Sequence, residues 1–201
     1  MVQEELQDRK QVFLGIDQSK RSTGCVWVDD TGEVIHFTLL APHKDLDDVG
    51  IINEQWQELN YNLNYTAACD FAVIEGLSFA AVGSGKDFLA GLQWHFRANM
   101  ELQHSVFLGP VPVTSWRSKV LSKEEQREAK ADGKDGLKWA VFNKLPAQIR
   151  KNFSDYVYLH RERINAAKGL GPKSVKYVDA SWDLADAYWL AEYRRKLSTC
   201  K

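Results

Sequence analysis

The sequence predicts an α/β protein built on a mixed five-stranded sheet flanked by helices, with the first three strands antiparallel. Three observations predict it. A short apolar run, Val12, Phe13, Leu14 and Ile16, stops on Asp17 and is followed by two more strand-like runs separated by polar turns. A long segment with helical spacing then leads to a second apolar run ending on an acid, DFAVIEG at 70–76. Because strand-helix-strand crossovers return to the same sheet, this fourth strand is expected parallel to an earlier one. Finally, the chain closes on SWDLADAYWLAEYRRK at 181–196, a helix with almost no polar side that nevertheless carries Asp183 and Asp186.

The first strand reads as buried on both faces, since a near-continuous apolar run bounded by turn residues suits that setting. Asp17 does not, because a buried unpaired carboxylate costs several kcal/mol, so it must sit where the strand emerges or be balanced by a cation. The turn at 18–22 leads to a second strand at 23–29, rich in β-branched and aromatic residues (Val26, Trp27, Val28). Asp29-Asp30-Thr31-Gly32 is a turn signal, and 33–40 reads as a third strand antiparallel to the second. Residues 45–68 have helical spacing, with Leu46, Val49, Ile52, Trp56, Leu59 and Leu63 on one stripe and Pro42 and Asp45 as start signals. After a loop at 77–85, residues 87–104 form a helix with Phe88, Leu92, Phe96 and Met100 on one face. Residues 106–113 form a strand whose Pro110 and Pro112 place it near a sheet edge. Residues 116–144 read as helical and basic, broken around Gly133 and Gly136, and 146–176 as mostly loop and turn.

Two hundred and one residues, 44% hydrophobic and 11% aromatic, suit one domain with a proper core, taken as spanning 1–201. No window approaches a membrane span and 1–10 is polar, so the expected compartment is cytoplasmic, with no membrane partner. Cys25, Cys69 and Cys200 are far apart and in no metal-binding spacing, and are read as reduced bystanders. The net charge of −1 conceals a strong asymmetry. Residues 1–114 carry 7 Lys/Arg against 16 Asp/Glu, residues 115–176 carry 15 against 7, and residues 177–201 carry 4 of each. A basic block on an acidic body is the pattern of a protein that grips phosphate with one region, or of a solvated lysine-rich helical face. GSGK at 83–86 fails the phosphate-loop pattern, since Ala80 and Asp87 occupy the places of its first Gly and its Ser/Thr.

The acids are the chemical signal. Asp183 and Asp186 lie at i and i+3, on one face of the closing helix. For Asp183 alone, complementing the helix N-terminus would be explanation enough. If the first and fourth strands pair in parallel, however, Asp17 and Glu75 converge and the helix pair can pack over them. Four carboxylates in one place repel unless hard cations sit among them. An oxygen-only donor set selects Mg²⁺, with Mn²⁺ as a substitute. Two such ions ~3.5 to 4 Å apart activate a water and stabilise the leaving oxygen of a phosphodiester.

In order, GIDQSKRSTG, VIEG and DLADA resemble the first, second and C-terminal acid motifs of RuvC-type Holliday junction resolvases, within the ribonuclease H-like fold. WRSKV and GKDGLKWAVFNKLP resemble the region where that family meets DNA. The resemblance spans 12–195. Gln18-Ser19 stands where many relatives have Pro-Gly, and 120–134 and 146–178 look like extra length, the mark of a divergent relative encoded by a bacterium or a phage. The resemblance implies a metal-dependent, structure-selective endodeoxyribonuclease that cleaves four-way or branched DNA by two-metal hydrolysis, working as a homodimer. It further implies Asp17, Glu75, Asp183 and Asp186 as metal ligands and catalytic residues.

Arg117, Lys119, Lys134 and Lys138 are the phosphate-contact candidates within the basic segment at about 115–176. Phe79, behind Glu75, either stacks on unpaired bases at a branch point or packs as an ordinary phenylalanine. His160, between two arginines, reads as a surface histidine. A sugar-kinase-like phosphate site is disfavoured, since it needs a second lobe and a second glycine-rich motif. A ribonuclease H acting on RNA–DNA hybrids and a catalytically silent branched-DNA-binding module of the same fold remain the alternatives.

Overall fold

The computed structural model describes residues 10–77, 84–103, 106–133 and 135–199. Its five strands are β1 (Val12–Asp17), β2 (Thr23–Asp29), β3 (Val34–Leu40), β4 (Phe71–Glu75) and β5 (Val106–Val111). They form one sheet in the order β3-β2-β1-β4-β5. The β1–β2 and β2–β3 pairs are antiparallel, and β1–β4 and β4–β5 parallel. The mixed sheet expected from the sequence is therefore present, with the proline-bearing fifth strand at an edge.

Both faces of the sheet are covered, which is why its central strands read as continuous apolar runs. On one face Leu14, Ile16, Trp27, Leu40, Ala72 and Ile74 pack against α1 (Asp48–Tyr65) and α2 (Ser84–Gln103). On the other, Phe13, Val26, Val28, Leu39 and Val73 pack beneath α8 (Ala180–Thr199). That helix contacts β1, β2 and β4 below it and α3 (Val113–Val120), α5 (Gly136–Asn143) and α6 (Ala147–Leu159) around it. From Ala180 to Ala191 it is covered on nearly every side, and apart from Ser181 and the two aspartates its residues there are apolar.

Two glycines set the height of α8. A methyl group at Gly15 would lie 2.0 Å from the carbonyl oxygen of Ala187, and one at Gly24 would lie 2.3 Å from that of Asp183. The helix backbone thus rests on the sheet backbone, closer than any side chain would allow.

Three expectations need correction. Residues 146–176 are mostly helical, forming α6 and α7 (Arg161–Ala167), followed by a 3-10 turn at Lys176–Asp179. Phe153, Val157 and Ile164 are buried at helical spacing, with Ile149 and Tyr156 packed beside them, and this period outweighs the Gly-Pro signals, which mark only the segment's end. Tyr156 reaches the third strand, its hydroxyl 3.2 Å from Thr38 Oγ1.

The basic segment at 116–144 begins earlier and breaks more often. Pro112 precedes α3, and a Ser122–Glu125 capping box starts α4 (Lys123–Ala131). The break near Gly133 and Gly136 is present. On α1 the buried face runs through Ile51, Gln55, Leu59, Asn62 and Leu63, whereas Val49 is 66% exposed. Two polar side chains occupy that face because each has hydrogen-bond work there, and apolar spacing alone could not register them.

Candidate metal centre

The site follows from strand register. β1 and β4 pair from Phe13↔Phe71 to Ile16↔Ile74, which sets Asp17 and Glu75 side by side at the ends of neighbouring parallel strands. By alternation both share the face of Phe13, Gly15 and Val73, the face covered by α8. Gly24 sits opposite Asp17 across the β1–β2 pair, and the backbone of Asp183 fills the space its missing side chain leaves. One turn on, Asp186 reaches the same point. Ligand oxygens of Asp17, Glu75 and Asp186 all lie within 4.8 Å of one another.

The surroundings hold these acids rigidly. Gln18 and Gln93 both donate to the Glu75 carbonyl, at 3.1 and 3.2 Å. The turn after Asp17 is held by Gln55 of α1, whose amide donates to the carbonyls of Ser19 and Lys20 at 3.0 and 3.3 Å and whose oxygen lies 2.7 Å from the Thr23 hydroxyl. Asp17, Gln18 and Glu75 open onto a cleft of about 160 Å³, together with Gly76, Leu77, Lys86 and Leu89.

Electrostatically the cluster is loaded with like charge in a dry place. Burial, then the charges of Glu75, Asp186 and Asp183, hold the Asp17 carboxyl well above the usual carboxylate range. Burial also raises Glu75, against the pull of a hydrogen bond with Asp17 and of Arg117 and Lys138. Asp186, only 2% exposed, is pushed up to about 7, first by burial and next by Glu75. Its Oδ1 is buried without a hydrogen-bond partner.

Two cations face the acids. Lys138 Nζ lies 3.3 Å from Asp183 Oδ1, and Arg117 Nη2 lies 3.7 Å from Asp186 Oδ2. Burial alone would lower the Lys138 ammonium, but Asp183, Asp17 and Asp186 outweigh it and hold the group above its ordinary value.

The donors fit the ion expected from the sequence. They are all carboxylate oxygens, with neither nitrogen nor sulfur among them, and an orphaned buried carboxylate oxygen aimed into such a cluster is what a hard divalent cation satisfies.

Of the nine site residues expected from the sequence, Asp17, Glu75 and Asp186 converge, with Asp183 beside them as the partner of Lys138. Arg117 and Lys138 lie against the acids, the Lys138 side chain remaining partly open to solvent. Lys119 is elsewhere, exposed at the rim of a cleft of about 300 Å³ between α3 and the far end of α8, with Trp116, Trp189, Tyr193 and Leu197. Phe79 and Lys134 lie outside the described residues.

Sequence reading missed Lys86. Rejecting GSGK as a phosphate loop is sound, yet the lysine of that tetrapeptide lines the acid cleft because α2 starts beside the end of β4. It also missed Gln55, whose only sequence signal is a polar residue on an otherwise buried face, and Gln18, which reads as an ordinary turn residue.

A mixed 3-2-1-4-5 sheet, with acids ending two adjacent parallel strands and a third acid supplied by a helix lying across them, defines the ribonuclease H-like fold. Among solved structures, the chain is similar to T. thermophilus RuvC in complex with a Holliday junction substrate. The match has 12% identity, covers 94% of this chain and 97% of that one, and has a TM-score of 0.54. A second structure of Thermus thermophilus RuvC matches at 16% identity, over 92% of this chain and 96% of that one, with a TM-score of 0.44. The first of these matches shows a shared fold over 94% of the chain. No protein-family model matches the sequence, and no curated protein sequence does. Among the described residues, no helix is long and apolar enough to cross a membrane.

Proposed function

We propose that the protein is a metal-dependent endonuclease that cleaves phosphodiester bonds in four-way or otherwise branched DNA. The observation that carries the reading is the convergence of Asp17, Glu75 and Asp186, with a buried carboxylate oxygen left unpartnered among them. The RuvC fold supports the choice of substrate. Asp17, Glu75 and Asp186 hold Mg²⁺, or Mn²⁺ in its place, and Asp183 completes the donor set.

Two bound divalent ions would supply a nucleophilic water and charge stabilisation for the leaving oxygen. The protein's own groups do the rest. Gln18 and Gln93 fix the end of β4, so that Glu75 cannot drift from Asp17. Gln55 keeps the turn after Asp17 from closing over the cleft. Lys86, on the open side, offers a positive charge to the phosphate backbone next to the reacting group, and Arg117, 3.7 Å from Asp186, offsets part of the burial that disfavours its charge. The basic segment at about 115–176 grips the DNA arms. Acting as a homodimer in the cytoplasm, the protein presents two such sites to a substrate that is itself close to two-fold symmetric.

The test is cleavage of a synthetic four-way junction, a linear duplex and an RNA–DNA hybrid, with and without Mg²⁺. Wild type is expected to cut the junction alone, and only with metal. Asp17→Asn, Glu75→Gln and Asp186→Asn should bind the junction without cutting it, since a carboxamide keeps the shape and loses the charge. Full Mg²⁺-dependent activity in any of the three would sink the metal-site assignment. Preference for the hybrid would move the substrate to ribonuclease H type, and binding without cleavage by wild type would make the protein a branched-DNA-binding module.

A further inference from the structure

Four carboxylates crowd this site, and two basic side chains already stand among them on different terms. Arg117 is confined, its side chain 16% exposed, its guanidinium 5.0 Å from the Trp116 ring and its Nε buried without a partner. Lys138 is half in solvent, its side chain 42% exposed, and it touches the site only through its tip, 3.3 Å from Asp183 Oδ1. An ammonium on a flexible four-carbon stem exchanges partners easily, whereas a guanidinium wedged against an indole does not.

Asp183 also stands apart from the other acids. It is not among the three whose oxygens already converge, and its ligand oxygen is taken by Lys138. We infer that Lys138 is an exchangeable internal counter-cation. It neutralises Asp183 in the metal-free protein, and divalent metal must displace it to recruit Asp183 to the site. This rests on the metal-site reading above and adds to it a built-in competitor. The competitor lets four acids fold together before any metal arrives, and it weakens metal affinity in return.

The consequences are reciprocal. Because Lys138 and metal compete for one carboxylate, removing Lys138 destabilises the metal-free protein and tightens metal binding. Calorimetric titration of DNA-free protein with Mn²⁺ reads the second effect, and melting temperature with and without Mn²⁺ reads both. Lys138→Met should bind Mn²⁺ roughly threefold to tenfold more tightly than wild type, the range of a partly exposed ion pair and the repulsion it leaves behind. It should melt lower without metal and gain more on adding it. Lys138→Arg, which keeps the charge, should return towards wild type, and Lys44→Met, at an exposed lysine ahead of α1, should bind Mn²⁺ like wild type.

On the wild-type protein, acetic anhydride labelling of Lys138, read by mass spectrometry, should rise when Mn²⁺ is added. Asp17→Asn separates the two levels of the argument. If it abolishes Mn²⁺ binding while Lys138→Met binds no tighter than wild type, the competitor idea is wrong and the metal site stands. If Asp17→Asn binds Mn²⁺ like wild type, the metal site falls and the inference with it. Should Lys138→Met not fold, unchanged or reduced labelling of wild-type Lys138 on adding metal overturns the inference by itself.

Discussion

Gly24→Ala tests whether the site is built by backbone contact. The added methyl would lie 2.3 Å from the carbonyl oxygen of Asp183 and 2.6 Å from its carbonyl carbon. Since carbon and oxygen make ordinary close contacts at about 3.3 Å, the start of α8 must lift by about 1 Å. The obstacle is main chain on both sides, so no side-chain rotation relieves it.

Overpacking of this kind costs ~1 to 3 kcal/mol, or roughly 3 to 10 °C in melting temperature for a chain of this size. The lift also carries Asp183 and Asp186 away from Asp17 and Glu75, and a misplacement of about 1 Å can lower a catalytic rate ~100-fold. The assays are thermal melting, Mn²⁺ titration and junction cleavage. Gly91→Ala is the control, because its methyl would meet only Ile52 Cδ1 at 3.5 Å, within α2. It should melt no lower than wild type, given the ~1 kcal/mol preference of a helix interior for alanine. A Gly24→Ala protein with wild-type melting, metal affinity and cleavage would refute the claim that the bare backbone at this position sets the height of α8.

The remaining predictions concern the acids and their support. With its pKa at about 7 in the folded protein, Asp186 binds a proton that the unfolded chain has already lost above about 4. Metal-free stability should therefore fall as pH rises from about 4 through 7, and Asp186→Asn should flatten that decline and melt higher than wild type at pH 8. Asp183→Asn should do the opposite without metal, melting lower by about 0.5 to 1 kcal/mol, because it loses the Lys138 pair and a favourable charge in the first turn of α8. Melting curves of both variants, recorded from pH 4 to 8 without metal, check the sign of each effect. Gln55→Ala should cost ~1 to 3 kcal/mol by removing its bonds to the Ser19 and Lys20 carbonyls and to the Thr23 hydroxyl, although Thr23 Oγ1 still donates to the Ser19 carbonyl at 2.9 Å. It should also lower junction cleavage more than junction binding, measured by gel shift beside the cleavage assay.

The sequence by itself determined the five strands and their order along the chain, because apolar runs bounded by turn residues are local signals. That β4 runs parallel to an earlier strand also follows from the sequence, since a helical crossover leaves little choice of direction, whereas the choice of β1 as its partner is read from the sheet itself. Given that pairing, the meeting of Asp17, Glu75 and the closing helix could be expected. Reading 146–176 as loop failed because glycine and proline were weighed above the buried period of Phe153, Val157 and Ile164.

Other features depended on distance across the fold, which spacing along the chain does not encode. The height of α8 is decided where Gly15 and Gly24 meet a backbone more than 150 residues away in sequence. Gln55 is buried on an amphipathic helix because the Ser19 and Lys20 carbonyls of the 18–22 turn face it. Lys86 belongs to the site because α2 begins where β4 ends. Arg117 and Lys138 read as surface cations from composition, and only packing against α8 turns them inward. A buried carboxylate cluster draws in any cation within reach, so the identity of its partners is settled by three-dimensional proximity. The sequence could announce only that the acids would need them.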